Sequence, residues 1–299
     1  MSFKKYMHIK RFENDEVAGI ELGTCHIFPK IDGTNGSIWF EDEKIKVGSR
    51  NRELATEDDN AGFCDYVLNG EKSKNYKCFF QCNPNLRLYG EWLVPHSFKD
   101  YQKDAWRKFY VFDVFDDEKE EYLSYEKYRL YLFERDIDFI PPLCVIKNPT
   151  KDNILHELES NWFLVDNGKN TGEGVVVKNY NFRNKYGRTT WAKMITNEFK
   201  EKHSKNQPTI KKSKGGIEQK IAEKYISEHF VEKTYAKIVN DIGEWDKKFI
   251  PRLLQTIYYD LINEEIWSII KKNKNPVIDF SRLYGLMIAK IKEIKPELF

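Results

Sequence analysis

Alternating apolar and polar residues occur in short runs up to about residue 200. Because successive side chains of a strand point to opposite faces, such runs predict β-strands. Residues 25–50 contain three of them, separated by the turn sequences DGTNG and EDE, and therefore predict an antiparallel meander. Further strands are predicted at 86–93, 109–115, 174–179 and 189–195, and helices at 122–135 and 151–160. The mixture predicts an α+β domain with antiparallel sheet, residues 1–200.

The pattern changes in the last third of the chain, where apolar residues recur three and four positions apart. Ile217, Ile221 and Tyr225 show this spacing, which is typical of one face of a helix. It predicts a separate, small all-helical C-terminal domain, residues 217–299. Residues 201–216 are rich in lysine and end in two glycines, and are interpreted as a basic linker.

The composition is that of a folded protein. Hydrophobic residues make up 40% of the chain and aromatic residues 15%, which is too much for a disordered one. No run approaches the roughly eighteen apolar residues of a membrane span, and the first residues lack the apolar segment of a signal peptide. We therefore expect a cytoplasmic protein without membrane contact, whose five scattered cysteines remain reduced.

The net charge of +2 hides a strongly basic tract. Residues 178–214 contain eleven Lys and Arg against Glu198 and Glu201, a local net charge of +9. Such a tract is either a solvated tether or a surface for a polyphosphate or nucleic-acid backbone. Charge alone leaves both interpretations open.

Six short motifs occur in order along the predicted α+β domain. The first begins with Lys30 at the end of a predicted strand, and Gly33 allows a tight turn, so that the amine is expected at the edge of a cleft. Alone, this segment could equally be an ordinary hairpin turn. In chain order the motifs are Lys30-Ile31-Asp32-Gly33-Thr34-Asn35, Ser49-Arg50, Gly90-Glu91, Phe112-Asp113, Glu173-Gly174-Val175-Val176-Val177-Lys178 and Lys193.

In this order the motifs resemble motifs I, Ia, III, IIIa, IV and V of the covalent nucleotidyltransferases, a superfamily that contains ATP-dependent DNA ligases, RNA ligases and mRNA capping enzymes. The resemblance spans residues 30–193 and implies an antiparallel-sheet nucleotidyltransferase (adenylation) domain. The first motif and the helical tail are most similar to the RNA ligase 2-like branch, whose members join RNA 3′-hydroxyl and 5′-phosphate ends. Capping enzymes and DNA ligases usually carry a strand-rich OB-fold where this chain is predicted to be helical.

The resemblance implies a reaction in three transfers that uses ATP and Mg²⁺ or Mn²⁺. Lys30 would attack the α-phosphorus of ATP and expel pyrophosphate, AMP would pass to a 5′-phosphate to give an adenylated end (AppRNA), and a 3′-hydroxyl would displace AMP. The attacking amine must first lose a proton, because an ammonium has no lone pair. Lys178, Lys193 and the metal would favour the neutral amine and would neutralise the α-phosphate.

Other motif residues are expected to hold the nucleotide and the metal. Glu91 would accept hydrogen bonds from the ribose hydroxyls, and Phe112 would stack on adenine, although an aromatic residue in this strand would equally suit the core. Glu173 is the expected metal ligand. Asp32 is expected to face a metal-bound water rather than the Lys30 amine.

Two further residues complete the predicted nucleotide site. Arg50 suits a bidentate contact with phosphate or ribose. Asn35, beside the glycine turn, belongs either to the site or to the turn alone.

One departure from the family pattern concerns motif V, which often has two lysines around one residue, whereas Trp191 stands here at the first position. Lys185 or Arg188 is the candidate for the missing cation.

The sequence therefore predicts an ATP-dependent RNA ligase, expected to be a monomer. Its partner would be RNA with 3′-hydroxyl and 5′-phosphate ends, nicked or duplex, bound by the helical tail and by residues 178–214. Three alternatives stay open: a DNA nick ligase, a capping-type guanylyltransferase, and a catalytically inactive RNA-binding relative.

Overall fold

The computed structural model of the protein describes residues 2–95, 101–165, 172–196 and 216–299. The chain divides into two compact units, Met1–Lys202 and His203–Phe299. In the described residues, no helix is both long enough and apolar enough to cross a membrane.

Two sheets form the N-terminal unit. The first sheet contains β1 (Lys10–Arg11), β2 (Thr24–Lys30), β9 (Cys144–Lys147), β10 (Gly174–Lys178) and β11 (Ala192–Ile195). Its strands lie in the order β1-β11-β10-β2-β9. The second sheet contains β3 (Thr34–Glu41), β4 (Lys44–Ser49), β5 (Glu53–Leu54), β6 (Leu86–Trp92), β7 (Phe109–Asp116) and β8 (Glu121–Tyr122). Its strands lie in the order β5-β4-β3-β6-β7-β8. Neighbouring strands are antiparallel except β1 and β11, which are parallel.

Strand alternation separates the apolar side chains into layers. Val176 of β10 packs in a cluster between the two sheets, together with Phe28 and Tyr110. Val175 and Val177 point to the opposite face and pack against the helix that covers it. The helices of this unit, where it is described, are α1 (Phe63–Leu68), α2 (Ser73–Cys82) and α3 (Tyr125–Phe133), which pack on the second sheet, and α4 (Lys151–Glu159), which packs on the first.

The predicted meander at residues 25–50 is wrong at its first turn. β3 and β4 pair as a hairpin, but β2 lies in the other sheet. The chain crosses between the sheets at Asp32 and Gly33, whose amides donate to the Tyr101 hydroxyl at 2.7 Å and to Glu91 Oε1 at 3.0 Å. Because side chains satisfy these amides, the turn needs no hairpin ladder.

The C-terminal unit is helical throughout its described part, as predicted. Its helices are α5 (Ile217–Tyr225), α6 (Glu228–Ile242), α7 (Ile250–Lys272) and α8 (Phe280–Ile294). Ser227 and Asp279 cap α6 and α8 by accepting backbone hydrogen bonds. The residues with helical spacing form one apolar core, which includes Ile221, Leu253, Ile257, Leu261, Leu283, Met287 and Ile291.

Candidate active site

Lys30 and Glu173 meet at one end of the first sheet. Lys30 is the last residue of β2 and lies opposite Gly174, so that Glu173, just before β10, comes next to it. The Lys30 ammonium forms an ion pair with the Glu173 carboxylate. The side chains are 24% and 10% exposed, respectively. The first and fifth of the six motifs thus provide a lysine and a carboxylate that touch.

Three lysines share the face of the first sheet that is turned toward the second. Val176 lies opposite both Phe28 and Lys193, and Lys178 lies opposite His26. Because every second residue of a strand points to the same side, Lys30, Lys178 and Lys193 lie on the face that carries Phe28. The sheet therefore concentrates positive charge on one surface.

The second sheet brings the other motif residues to the crossing turn. Glu91 of β6 holds the Gly33 amide and lies opposite Asn35 of β3. A side chain at Gly33 would bring its Cβ to 2.4 Å from the Trp92 carbonyl oxygen, so only glycine allows the turn to pack on β6. Arg50 directly follows β4, beside the same end of β3, and its guanidinium lies 3.5 Å from His8 Nδ1.

A β-bulge in β7 directs two neighbouring side chains toward the first sheet. Tyr89 lies opposite Asp113 and Gly90 lies opposite Val111, which leaves Phe112 as the extra residue. The extra residue interrupts the alternation of side chains along the strand, so that two neighbouring residues point to the same face. As a result, Phe112 packs in the cluster between the sheets and Asp113 also contacts a residue of the first sheet.

That contact is a fully buried ion pair between Asp113 and Lys178. The Lys178 ammonium lies 2.8 Å from Asp113 Oδ1, and the two side chains are 2% and 0% exposed. Lys178 also donates a hydrogen bond of 2.6 Å to the Phe112 carbonyl oxygen. Burial lowers the pKa of Lys178, and the Asp113 carboxylate opposes this effect. Lys178 thus holds the bulge that presents Phe112, and its predicted contact with the α-phosphate stays a prediction.

Trp191, at the position of the missing motif V lysine, belongs to the same network. Its indole N–H donates to Asp113 Oδ2 at 3.1 Å, and the ring is completely buried. A buried indole needs such an acceptor. The position therefore carries a structural side chain in this protein.

Lys185 and Arg188, the candidates for the missing cation, lie in the loop that follows β10, and their role stays a prediction. β10 starts beside Lys30 and ends beside His26, so the loop after it leaves from the far end of the sheet. The four steps between the five residues of β10, at about 3.3 Å each, separate the two ends of the strand by roughly 13 Å. Lys185 and Arg188 are exposed at that far end.

Sequence reasoning missed Tyr6, which lies inside the site. Its ring centroid is 4.9 Å from that of Phe112 and 5.0 Å from that of Tyr89, and its hydroxyl donates to Asp113. Burial raises the pKa of Tyr6 well above its ordinary value, and the Asp113 carboxylate adds to the shift. The phenol is therefore a neutral donor. Only the aromatic residues near the start of the chain could have indicated this segment.

The carboxylates are compatible with a magnesium ion that is held partly by nucleotide phosphates. Across the described ranges, no group of three or more His, Cys, Asp or Glu side chains is arranged around a common metal position. Mg²⁺ needs only one or two carboxylates when waters and phosphate oxygens complete its shell. Glu173 beside Lys30, with the buried Asp32 two residues further along, is a donor set of this kind.

This fold, with the lysine of the first motif against the glutamate of the fifth, is that of the nucleotidyltransferases. The RNA ligase family model matches residues 24–195, which is more than half of the chain. The chain therefore belongs to the RNA ligase family, and the resemblance identified from its motifs is confirmed. No curated protein matches the sequence significantly.

Solved structures of a Naegleria gruberi RNA ligase show the same fold. The complex with pyrophosphate is 22% identical, covers 67% of this chain and 58% of that chain, and has a TM-score of 0.51. A point mutant with ATP and manganese is 23% identical, with coverages of 66% and 57% and a TM-score of 0.51. The protein thus spans little more than half of the Naegleria ligase.

Proposed function

We propose that the protein is an ATP-dependent RNA ligase that forms a covalent lysyl-AMP intermediate on Lys30. The observation that carries the proposal is the ion pair of Lys30 with Glu173 on a face that also holds Lys193. Family membership supports RNA as the substrate. The complexes of the Naegleria ligase with ATP, AMP and manganese support ATP and a divalent metal as its requirements.

The ion pair suggests how Lys30 becomes a nucleophile. A carboxylate next to an amine stabilises the ammonium, which cannot attack. Glu173 would hold the metal that accompanies ATP, and Lys30, without this partner, would release its proton to solvent. The metal, when bound, neutralises phosphate charge. The amine then forms the N–P bond to the α-phosphorus as the P–O bond to pyrophosphate breaks.

The other motif residues are proposed to orient the nucleotide. Phe112 stacks on adenine from its position at the bulge, and Glu91 accepts from the ribose hydroxyls while it holds the Gly33 amide. Arg50, Asn35 and Lys193 contact ribose or phosphate. AMP then passes to an RNA 5′-phosphate, and a 3′-hydroxyl displaces it to seal the strand.

We also propose a functional division of the chain into a nucleotidyltransferase domain (1–200), a basic linker (201–216) and a helical domain (217–299). RNA would contact the helical domain and the basic tract at 178–214, in a monomeric enzyme. Residues 197–214 of this tract lie outside the described part of the structure.

Lysyl-AMP formation can be tested without RNA. The native chain, Lys30→Ala and Lys10→Ala are incubated with Mg²⁺ and α-labelled ATP or GTP, and then separated under denaturing conditions. Lys10 is a matched control, because it also pairs with a glutamate, Glu16, at 2.8 Å and is 27% exposed. We expect label from ATP on the native chain and on Lys10→Ala, and none on Lys30→Ala.

Label on Lys30→Ala would show that another residue is the nucleophile. Label from GTP alone would indicate a capping-type activity, and no label on the native chain would indicate an inactive relative. Nicked substrates with ribose or deoxyribose at the 3′ side then separate an RNA ligase from a DNA ligase.

A further inference from the structure

The loop between β10 and β11 carries an exposed aromatic ring among three cations. Tyr186 is 61% exposed, and Arg183, Lys185 and Arg188 are also exposed. The sequence from Lys178 to Lys193 contains no acidic residue. We call four exposed residues of this loop, namely Arg183, Lys185, Tyr186 and Arg188, the loop platform.

Hydrogen bonds around a buried asparagine fix the shape of the loop platform. Asn184 Oδ1 accepts from the amides of Tyr186 and Arg188, both at 3.0 Å. The Asn184 amide donates to the Arg188 carbonyl oxygen at 2.9 Å, and Gly187 between them has a φ of +73°. The backbone that carries the ring and the cations is therefore held in place before any partner binds.

The three cations are available to an anion. Over the described ranges, none of them forms an ion pair with a carboxylate. The Arg183 guanidinium donates to the carbonyl oxygens of Tyr180 and Phe182, and the Lys185 ammonium lies 5.3 Å from the centroid of the Tyr186 ring. Three cations within six residues raise the local positive potential, which a phosphate backbone would neutralise.

An exposed ring flanked by cations is the combination that binds single-stranded nucleic acid. Bases stack on the aromatic face, and the cations contact the phosphates on either side. Inside a duplex both faces of a base are covered by its neighbours, so a ring can stack only on an unpaired or terminal base. The loop platform meets both requirements, because Tyr186 supplies the ring and Arg183, Lys185 and Arg188 supply the cations.

We propose that the loop platform binds an unpaired nucleotide of the RNA substrate, with its base stacked on Tyr186. The proposal rests on the function proposed above. The loop platform lies beyond the end of β10 that is far from Lys30, about 13 Å away along the strand. At about 3.4 Å per stacked nucleotide, the bound base is on the order of four nucleotides from the reacting end.

Fluorescence anisotropy with a labelled single-stranded RNA and with a blunt RNA duplex tests the proposal. Tyr186→Ala should weaken single-strand binding by about 5-fold or more, and Tyr186→Phe should restore it, because stacking needs only the ring. Tyr131→Ala, which removes a tyrosine that is 42% exposed on α3, is the control and should bind like the native chain. Duplex binding should change little.

The cations make a separate contribution that salt reveals. Replacing Arg183, Lys185 and Arg188 together by alanine should reduce the slope of log affinity against log salt by about 2 for single-stranded RNA. An unchanged slope would overturn the assignment of these cations to phosphates. Tyr186→Ala with native affinity, or an equal loss for the blunt duplex, would overturn base stacking.

Self-adenylation of the same preparations distinguishes the two proposals. Tyr186→Ala should form the lysyl-AMP at the native rate, because the loop platform lies at the far end of the sheet from Lys30. If the native chain forms the adenylate but binds no single-stranded RNA, the loop platform is refuted and the ligase chemistry stands. If the native chain binds single-stranded RNA through Tyr186 but forms no adenylate, the ligase chemistry is refuted and the loop platform stands.

Discussion

Lys30 and Lys178 both pair with a carboxylate, but their surroundings differ. The Lys30–Glu173 pair is partly open to solvent, so its carboxylate is accessible to another partner. The Lys178–Asp113 pair is enclosed, and Tyr6 and Trp191 also donate to the same carboxylate. The proposed nucleophile is therefore the lysine with the more accessible partner, whereas Lys178 fixes the shape of the bulge.

Breaking the enclosed pair should cost much more than replacing both of its members. Lys178→Met leaves the Asp113 charge buried without a cation, and we expect a loss of about 3–5 kcal/mol in the free energy of unfolding. Lys178→Met combined with Asp113→Asn removes both charges and should recover much of that loss. Urea denaturation of the native chain, both single variants and the double variant measures the coupling.

Additive effects of the two substitutions would contradict the structural role of this pair. The motif alone does not show that Lys178 is buried against Asp113. The glutamate and the lysine of Glu173-Gly174-Val175-Val176-Val177-Lys178 stand at opposite ends of one strand. They consequently have different neighbours and different tasks.

At the scale of elements, bulge and turn geometry determine where the motif residues point. Simple alternation along Phe109–Asp116 would place Phe112 and Asp113 on opposite faces of the sheet. The bulge brings both to the inner face, so that the proposed adenine-stacking ring and the anchor for Lys178 lie side by side. A single extra residue thus places the proposed stacking ring next to the carboxylate that binds Lys178.

The turn that ends β7 gives a prediction on pH. Asp116 Oδ1 accepts hydrogen bonds from the amides of Glu118 and Lys119 and from the Asn85 side chain. Burial acts to raise the pKa of Asp116, but these bonds outweigh it and hold the pKa below its ordinary value. A carboxyl with a lowered folded-state pKa stabilises the fold above its unfolded pKa of about 3.9, and this stabilisation is lost as pH falls through the folded value.

Asp116→Asn should therefore be less stable than the native chain at neutral pH, and the difference should shrink in acid. Thermal unfolding of both proteins between neutral pH and the acid limit of the fold measures this. Asp58→Asn is a matched control with an exposed carboxyl, held by Arg52 at 2.6 Å, and should show a smaller difference. A stability difference that stays constant down to low pH would refute the role assigned to Asp116.

Most strands and the helical tail could be predicted from the sequence, because periodicity reports directly on which side chains are buried. α1 and α2 could not, since short helices interrupted by Asn69 and Gly70 depend on packing of residues such as Phe63 and Phe79 against the sheet. Motif order assigned Lys30 and Glu173 to one predicted site but did not predict their contact. Neither the bulge nor the burial of Lys178 has a local signal, because both depend on pairing between distant strands.

At the scale of the whole molecule, the chain has separate apolar cores in its two compact units. All six motifs lie within Met1–Lys202, and their side chains pack on three clusters of that unit. The described helices α5 to α8 share a cluster of their own. Each unit therefore has the burial needed to fold by itself.

This separation predicts that the two halves of the reaction depend on different parts of the chain. A fragment of residues 1–202 should form the lysyl-AMP at close to the native rate, because the residues proposed to bind the nucleotide are all present. It should join RNA ends poorly, since the helical domain proposed to contact RNA is missing. Label incorporation from ATP and ligation of a nicked RNA duplex measure the two activities on the same preparations.

The fragment carrying Lys30→Ala is the control, and it should take up no label. Adding residues 217–299 as a separate chain should not restore joining at low concentration, since tethering raises the effective concentration of a weakly binding module into the millimolar range. If the fragment joins RNA as well as the full chain does, the helical domain has no part in substrate binding. If it folds but forms no adenylate, nucleotide transfer itself requires the C-terminal unit.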